Sequence, residues 1–304
     1  MTMRIVLSGD MEGISQITDP REVSAACPEY WATGRRRYND DVAAAARGLL
    51  EGGATEVIVL DNHASGNPEN LVQEALPNGA RLENWNVFEL PERGVDGMLQ
   101  VGYHARAGID GFMSHTYSPR LKLRVDNELI GESHGRIWAA QTALLGIVGT
   151  DAHLRTLGSL TGTPFLVVQT SSSRRETVPA AGPDAIEAFA EECMRASNDA
   201  PRPAAPGRST FRAKLVCEEQ DRDTMVAGGW NEEAPGEFVV ELQEWSDARG
   251  PLYAAMGAAN GPMNRLREGL DLTSLDKVQS QDRARVEAIV DRFLSWAVGD
   301  EDDW

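Results

Sequence analysis

The chain has 304 residues, 41% hydrophobic and 25% charged, enough apolar material for a large core and too much for a disordered polymer. Lys and Arg number 29 against 47 Asp and Glu, a formal charge of −18 that repels phosphate backbones and argues against a nucleic-acid partner. No apolar run of about 18 residues suggests a membrane span, and Cys27, Cys193 and Cys217 are too scattered for a disulfide framework or a cysteine zinc site.

In chain order, residues 4–8 (RIVLS) form an apolar run that ends at Gly9-Asp10 and reads as a strand. The start reaches an acid too soon for a secretory leader, so a reducing cytoplasm is expected. Asn39 is placed to cap a helix over residues 40–51, stopped by Gly52-Gly53. Residues 55–60 (TEVIVL) are a β-branched second strand. A short helix is expected over 70–75, a third strand over 95–102, a helix over 136–145, a strand at Ile147-Val148 and a helix from Asp151. Strand–helix alternation of this kind predicts an α/β fold with a mostly parallel sheet flanked by helices. The proline-rich stretch NDAPRPAAPGR (198–208) marks a boundary. Residues 1–200 are expected to form an α/β domain and 201–304 a smaller α+β part. That part carries strands over 210–217 and 237–242 and helices over 252–267 and 282–298.

The chemistry-bearing residues fall where such strands end. Asp10 and Glu12 follow the first strand, His63 the second and His104 the third; His115 and Glu132 come soon after. In open α/β sheets ligands collect at the carboxyl ends of the strands. Asp10 and Glu12, two apart in extended backbone, point to one side and repel unless a cation lies between them. Imidazole and carboxylate suit zinc, and also manganese or cobalt. Asp10, Glu12, His63, His104 and Glu132 are five donors, too many for one tetrahedral catalytic zinc and suited to two metals with a bridging carboxylate. His115 reads as a general acid/base, a direct nucleophile or a further ligand. Asp61 could orient His63. His134 and His153 are weaker, and His153 is placed on a surface helix. Dinucleotide and phosphate-loop glycine motifs, a nucleophile elbow and a HExxH helix are all absent from the sequence.

SGDMEGIS (8–15), EVIVLDNHAS (56–65), VGYHARAG (101–108), FMSHT (112–116) and IGE (130–132) together resemble the DppA-type D-aminopeptidases, zinc metallopeptidases. The resemblance spans roughly residues 4–135 and fades beyond, where Gly149-Thr150-Asp151 stands in place of a Gly-Asp-Asp. It implies a dinuclear zinc site held by Asp10, Glu12, His63, His104 and Glu132, with Asp10 bridging and His115 catalytic. It also implies a homo-oligomeric ring, a decamer in that family, and short peptides with N-terminal D-amino acids as substrates. After the last ligand the family runs Gly-Glu-x-Gly-x-Asn; here the run is Gly131-Glu132-Ser133-His134-Gly135-Arg136. His134 and Arg136 are therefore candidate substrate-binding residues, with Arg136 expected to favour an anionic or aromatic acyl part. The function expected is metal-dependent hydrolysis of short-peptide or small amides. The alternatives are a small-molecule amidohydrolase on a non-peptide amide or lactam, and a non-catalytic metal-binding assembly protein.

Overall fold

A computed structural model of the chain describes residues 3–63, 69–157, 162–215 and 217–268, with 277, 284–285, 288–289, 291–292 and 295 beyond them. The helix expected over 282–298 lies largely outside these residues, as does the acidic end 299–304.

The chain opens with β1 (Arg4–Gly9), α1 (Pro28–Glu51), β2 (Glu56–Asp61), β3 (Ala80–Glu83), the single turn α2 (Leu90–Arg93) and β4 (Gly97–Tyr103). Next come β5 (Leu121–Val125), β6 (Glu128–Ile130), α3 (Glu132–Ala140), β7 (Ala143–Thr150), the short α4 (Asp151–Leu154), β8 (Phe165–Ser171) and β9 (Thr177–Pro179). Then follow α5 (Pro183–Arg195), β10 (Ser209–Leu215), α6 (Glu219–Ala227), β11 (Asn231–Ala234), β12 (Glu237–Leu242) and α7 (Arg249–Arg267). Seven strands make one sheet in the order β3-β2-β1-β4-β7-β8-β9, parallel except for β9. The α/β class expected from the sequence is the one observed.

Strand alternation sorts the core. Ile5, Leu7, Val57 and Val59 face the layer of α1 and α5, where Val42, Leu49, Ile186 and Ala190 are buried. Val6, Ile58, Met98 and Ile147 face Leu90 of α2 and Ile137 and Ala140 of α3. An antiparallel five-stranded sheet, β11-β12-β10-β5-β6, packs Phe211, Phe238 and Leu123 against Met225 of α6 and Leu252 and Ala255 of α7. It takes β5 and β6 from before residue 200 and its other strands from after it.

Several sequence expectations shift. The first helix begins at Pro28, not after Asn39, because Pro28 occupies its first turn and the polar stretch 34–41 hides the period. Asn39 lies inside the helix and ties down the segment before β3: Nδ2 donates to Arg35 O and Asn70 O, and Oδ1 accepts from Val72 N. The helix expected over 136–145 starts earlier and stops at Ala140, where Gln141 turns left-handed at φ 49°. Ala143–Leu145 belong to β7, a strand buried along its whole length whose apolar run carries no period. The short helix at 70–75 is a 3-10 turn, Gln73–Ala75.

Within the large sheet the chain runs from β1 outward to β2 and β3, then returns to the other side of β1 as β4. The β1/β4 crevice is the switch point where α/β sheets bind ligands.

Candidate metal centre

The loop leaving β1 is laid across the end of β4 by backbone alone. Asp10 N donates to Val101 O at 2.8 Å and Gly13 N to Gly102 O at 2.8 Å. The approach needs both glycines: a Cβ at Gly13 would collide with the Tyr103 carbonyl, and one at Gly102 (φ +84°) with the Asp10 carbonyl. Asp41 on α1 clamps the same loop, accepting from Ser15 N at 2.5 Å and Ser15 Oγ at 2.6 Å. Gln169 of β8 reaches over to the carbonyls of Glu12 and Ile14.

This framing brings together the five residues singled out in the sequence. Asp10, Glu12 and His63 form one group of donor atoms; Asp10, His104 and Glu132 form a second; within each, the atoms lie within 4.8 Å of one another. Asp10 is common to both. Its Oδ1 lies 3.5 Å from His63 Nδ1, and its Oδ2 lies 3.6 Å from His104 Nε2. Glu12 Oε2 is 3.1 Å from His63 Nδ1, and Glu132 Oε1 is 3.5 Å from His104 Nε2. Tyr117 N donates to Glu132 Oε2 at 2.9 Å, which fixes that carboxylate.

Each imidazole is steered from behind. His63 Nε2 donates to Val23 O (2.7 Å), His104 Nδ1 to Ala105 O (2.9 Å) and His115 Nδ1 to Met113 O (2.7 Å). A carbonyl can only accept, so in all three rings the outer nitrogen carries a proton, and the inner one is the nitrogen available to a metal or to a second proton. Metal-binding histidines are oriented in this way. His115 stacks on His104 with ring centroids 4.1 Å apart, and joins Glu12 and His104 in a third donor group.

The electrostatics ask for cations. Burial, then Glu12 and Glu132, pushes the Asp10 carboxyl well above its usual range. Burial opposes ionisation of Glu12 and Glu132, yet His63 beside the first and His104 beside the second hold both below it. Against the same burial, Glu12 and Asp10 draw a proton onto His63, and Glu132 raises His104 to about 10. The carboxylates thus demand positive charge from the imidazoles. Meanwhile Asp10 Oδ2 and His104 Nε2 are buried without a hydrogen-bond partner. Divalent ions meet both needs, so the donor set fits metal. His115 differs: burial and then His104 lower its pKa.

The remaining candidates part company on α3. Glu132 and Arg136, four residues apart, share a helix face. Arg136 Nη1 donates to Asn62 Oδ1 at 2.7 Å, and its guanidinium lies 5.9 Å from the Tyr117 ring centre. His134 points elsewhere and packs edge-on against Trp138, with ring centroids 5.6 Å apart. Burial, then Arg106, lowers it to about 4. His153 is not on the surface: it is buried, stacked on Tyr103 and tilted against Phe165. Asp61 does help place His63, but through the backbone, accepting from His63 N at 3.2 Å. Sequence reasoning missed Asp41, Asn62 and Tyr117. Asn62 and Tyr117 stand beside motif residues, which was the one available signal.

The sequence profile of the D-aminopeptidase family matches residues 3–227. A D-aminopeptidase of Bacillus subtilis (strain 168) is 37% identical over 120 residues, 38% of this chain and 42% of the relative, so the matched segment spans less than half of that protein. Among solved structures, the Zn-dependent D-aminopeptidase DppA from Bacillus subtilis, described as a self-compartmentalizing protease, superposes with a TM-score of 0.74 at 22% identity. That superposition covers 84% of this chain and 98% of the other, and speaks for the fold.

Proposed function

The chain belongs to the D-aminopeptidase family, and from that premise we propose that it is a zinc-dependent hydrolase of short peptides bearing N-terminal D-amino acids. The observation that carries the reading is the pair of donor groups joined by Asp10. Asp10, Glu12 and His63 would hold one ion, and Asp10, His104 and Glu132 the other. Nitrogen and carboxylate donors suit zinc, the metal named for the structural relative. Bound there, the two ions supply Lewis-acid polarisation of the scissile carbonyl and lower the pKa of water towards about 7.

The side chains do the rest. His115, held by Met113 O through Nδ1, keeps Nε2 free to take a proton from the attacking nucleophile and hand it to the leaving nitrogen. Its lowered pKa keeps it a base at neutral pH. Tyr117 N keeps Glu132 in place.

The relative's description as self-compartmentalizing supports a ring of copies of this chain. Among the described residues no helix is long and apolar enough to cross a membrane. With the scattered cysteines, this supports a cytoplasmic protein.

The test is hydrolysis of matched D- and L-aminoacyl peptides by zinc-loaded protein. Expected are faster turnover of the D series, loss of at least about 100-fold on chelation, and recovery with zinc. Undiminished activity after verified metal removal, or cleavage of none of the peptides, would overturn the reading.

A further inference from the structure

Arg136 is a cation placed where an aminopeptidase has least use for one. It leaves α3 on the face that carries Glu132 and crosses to the end of β2, where it holds Asn62, the residue before His63. Asn62 is itself fixed, its Nδ2 donating to Ser8 Oγ at 2.8 Å, and Ser8 Oγ in turn lies 2.8 Å from Tyr103 Oη. The guanidinium is therefore anchored on the residue before His63, while its backbone lies one helical turn after Glu132, so the side chain spans from one donor group to the other.

The anchoring leaves donors over. A guanidinium has five N–H hydrogens. Nη1 donates to Asn62 Oδ1 at 2.7 Å and Nη2 to Asn62 O at 3.3 Å, while Nε is buried without a partner. Charge points the same way. Two divalent ions outweigh the three carboxylates of Asp10, Glu12 and Glu132, and Arg136 adds to the excess. That balance draws in a carboxylate.

We infer that Arg136 selects the substrate, receiving a carboxylate close to the scissile bond, so that the preferred substrates are acidic short peptides and amides. This rests on the amide-hydrolase reading above. A guanidinium–carboxylate hydrogen bond discriminates against an uncharged isostere by about 10–100-fold.

Two matched pairs test it on the zinc-loaded protein: a dipeptide against its C-terminal carboxamide, and an N-terminal aspartyl against an asparaginyl dipeptide amide. For at least one pair kcat/KM should favour the acid by about 10-fold or more. In Arg136→Gln, checked for unchanged zinc content, that ratio should fall below about threefold, and Arg136→Lys should restore part of it. No preference for the acid in either pair, or a preference unchanged in Arg136→Gln, overturns the inference. If none of the four compounds is cleaved, the hydrolase reading fails separately. Calorimetric binding of the same four compounds then decides: acid-selective affinity lost in Arg136→Gln supports the role of Arg136, and equal affinities overturn it.

Discussion

Asp10→Ala is expected to empty both halves of the centre at once. Asp10 is the residue shared by the two donor groups, with Oδ1 on the His63 side and Oδ2 on the His104 side. Without it, each half retains one carboxylate and one imidazole, short of the three protein ligands usual for catalytic zinc. Both ions should be lost. Turnover should fall by about 10⁴-fold, since an ion's transition-state stabilisation is worth several kcal/mol and each 1.36 kcal/mol is tenfold. Asp10 Oδ1 also accepts from Met11 N at 2.9 Å, so the loop conformation needs its own control. Asp10→Asn keeps that acceptor and removes the charge. It should retain the circular-dichroism spectrum of the parent and still bind zinc far more weakly. Two ions retained in Asp10→Ala would show that the shared carboxylate is not the keystone.

The second large effect is at His115. Its ring stacks on His104 and its outer nitrogen is committed to Met113 O, so the inner nitrogen faces the cluster. As a proton carrier, it should be removable without emptying the site: His115→Ala should keep its zinc and lose about 10²–10⁴-fold in kcat. As a ligand, it would take metal with it. The grouping of His115 with Glu12 and His104 makes this a live distinction, and metal analysis and kcat measured on one preparation separate the outcomes. Near-parent turnover would contradict any role in the chemistry.

What the sequence revealed and what it hid follow from range. Strand ends were legible because short β-branched runs stop at Gly-Asp or at histidine, and β12 was read with the bounds it has, Glu237–Leu242. The convergence of Asp10, His63 and His104 on one edge followed from parallel topology alone. The junction of α3 and β7 was not legible, since a continuous apolar run in a central strand looks like a buried helix until the left-handed Gln141 is seen. His153 looked like a surface residue because its helix is a single turn, too short to show a face. Asp41 gives no sign in the sequence: its importance lies in two bonds to Ser15, 26 residues away, and an acid beside Asp40 in an alanine-rich helix does not announce them. Arg136 stands out in the sequence by replacing the Asn of the family's run after Glu132, but its anchor on Asn62 spans 74 residues and appears only in the fold.

The most direct measurement is metal stoichiometry. Purified protein, incubated with zinc and freed of excess by gel filtration, is analysed for elements. About two zinc ions per chain are expected, with Glu132→Ala and His104→Ala each losing at least one. A chain that retains no transition metal after that treatment would contradict the dinuclear centre on which the proposed chemistry depends.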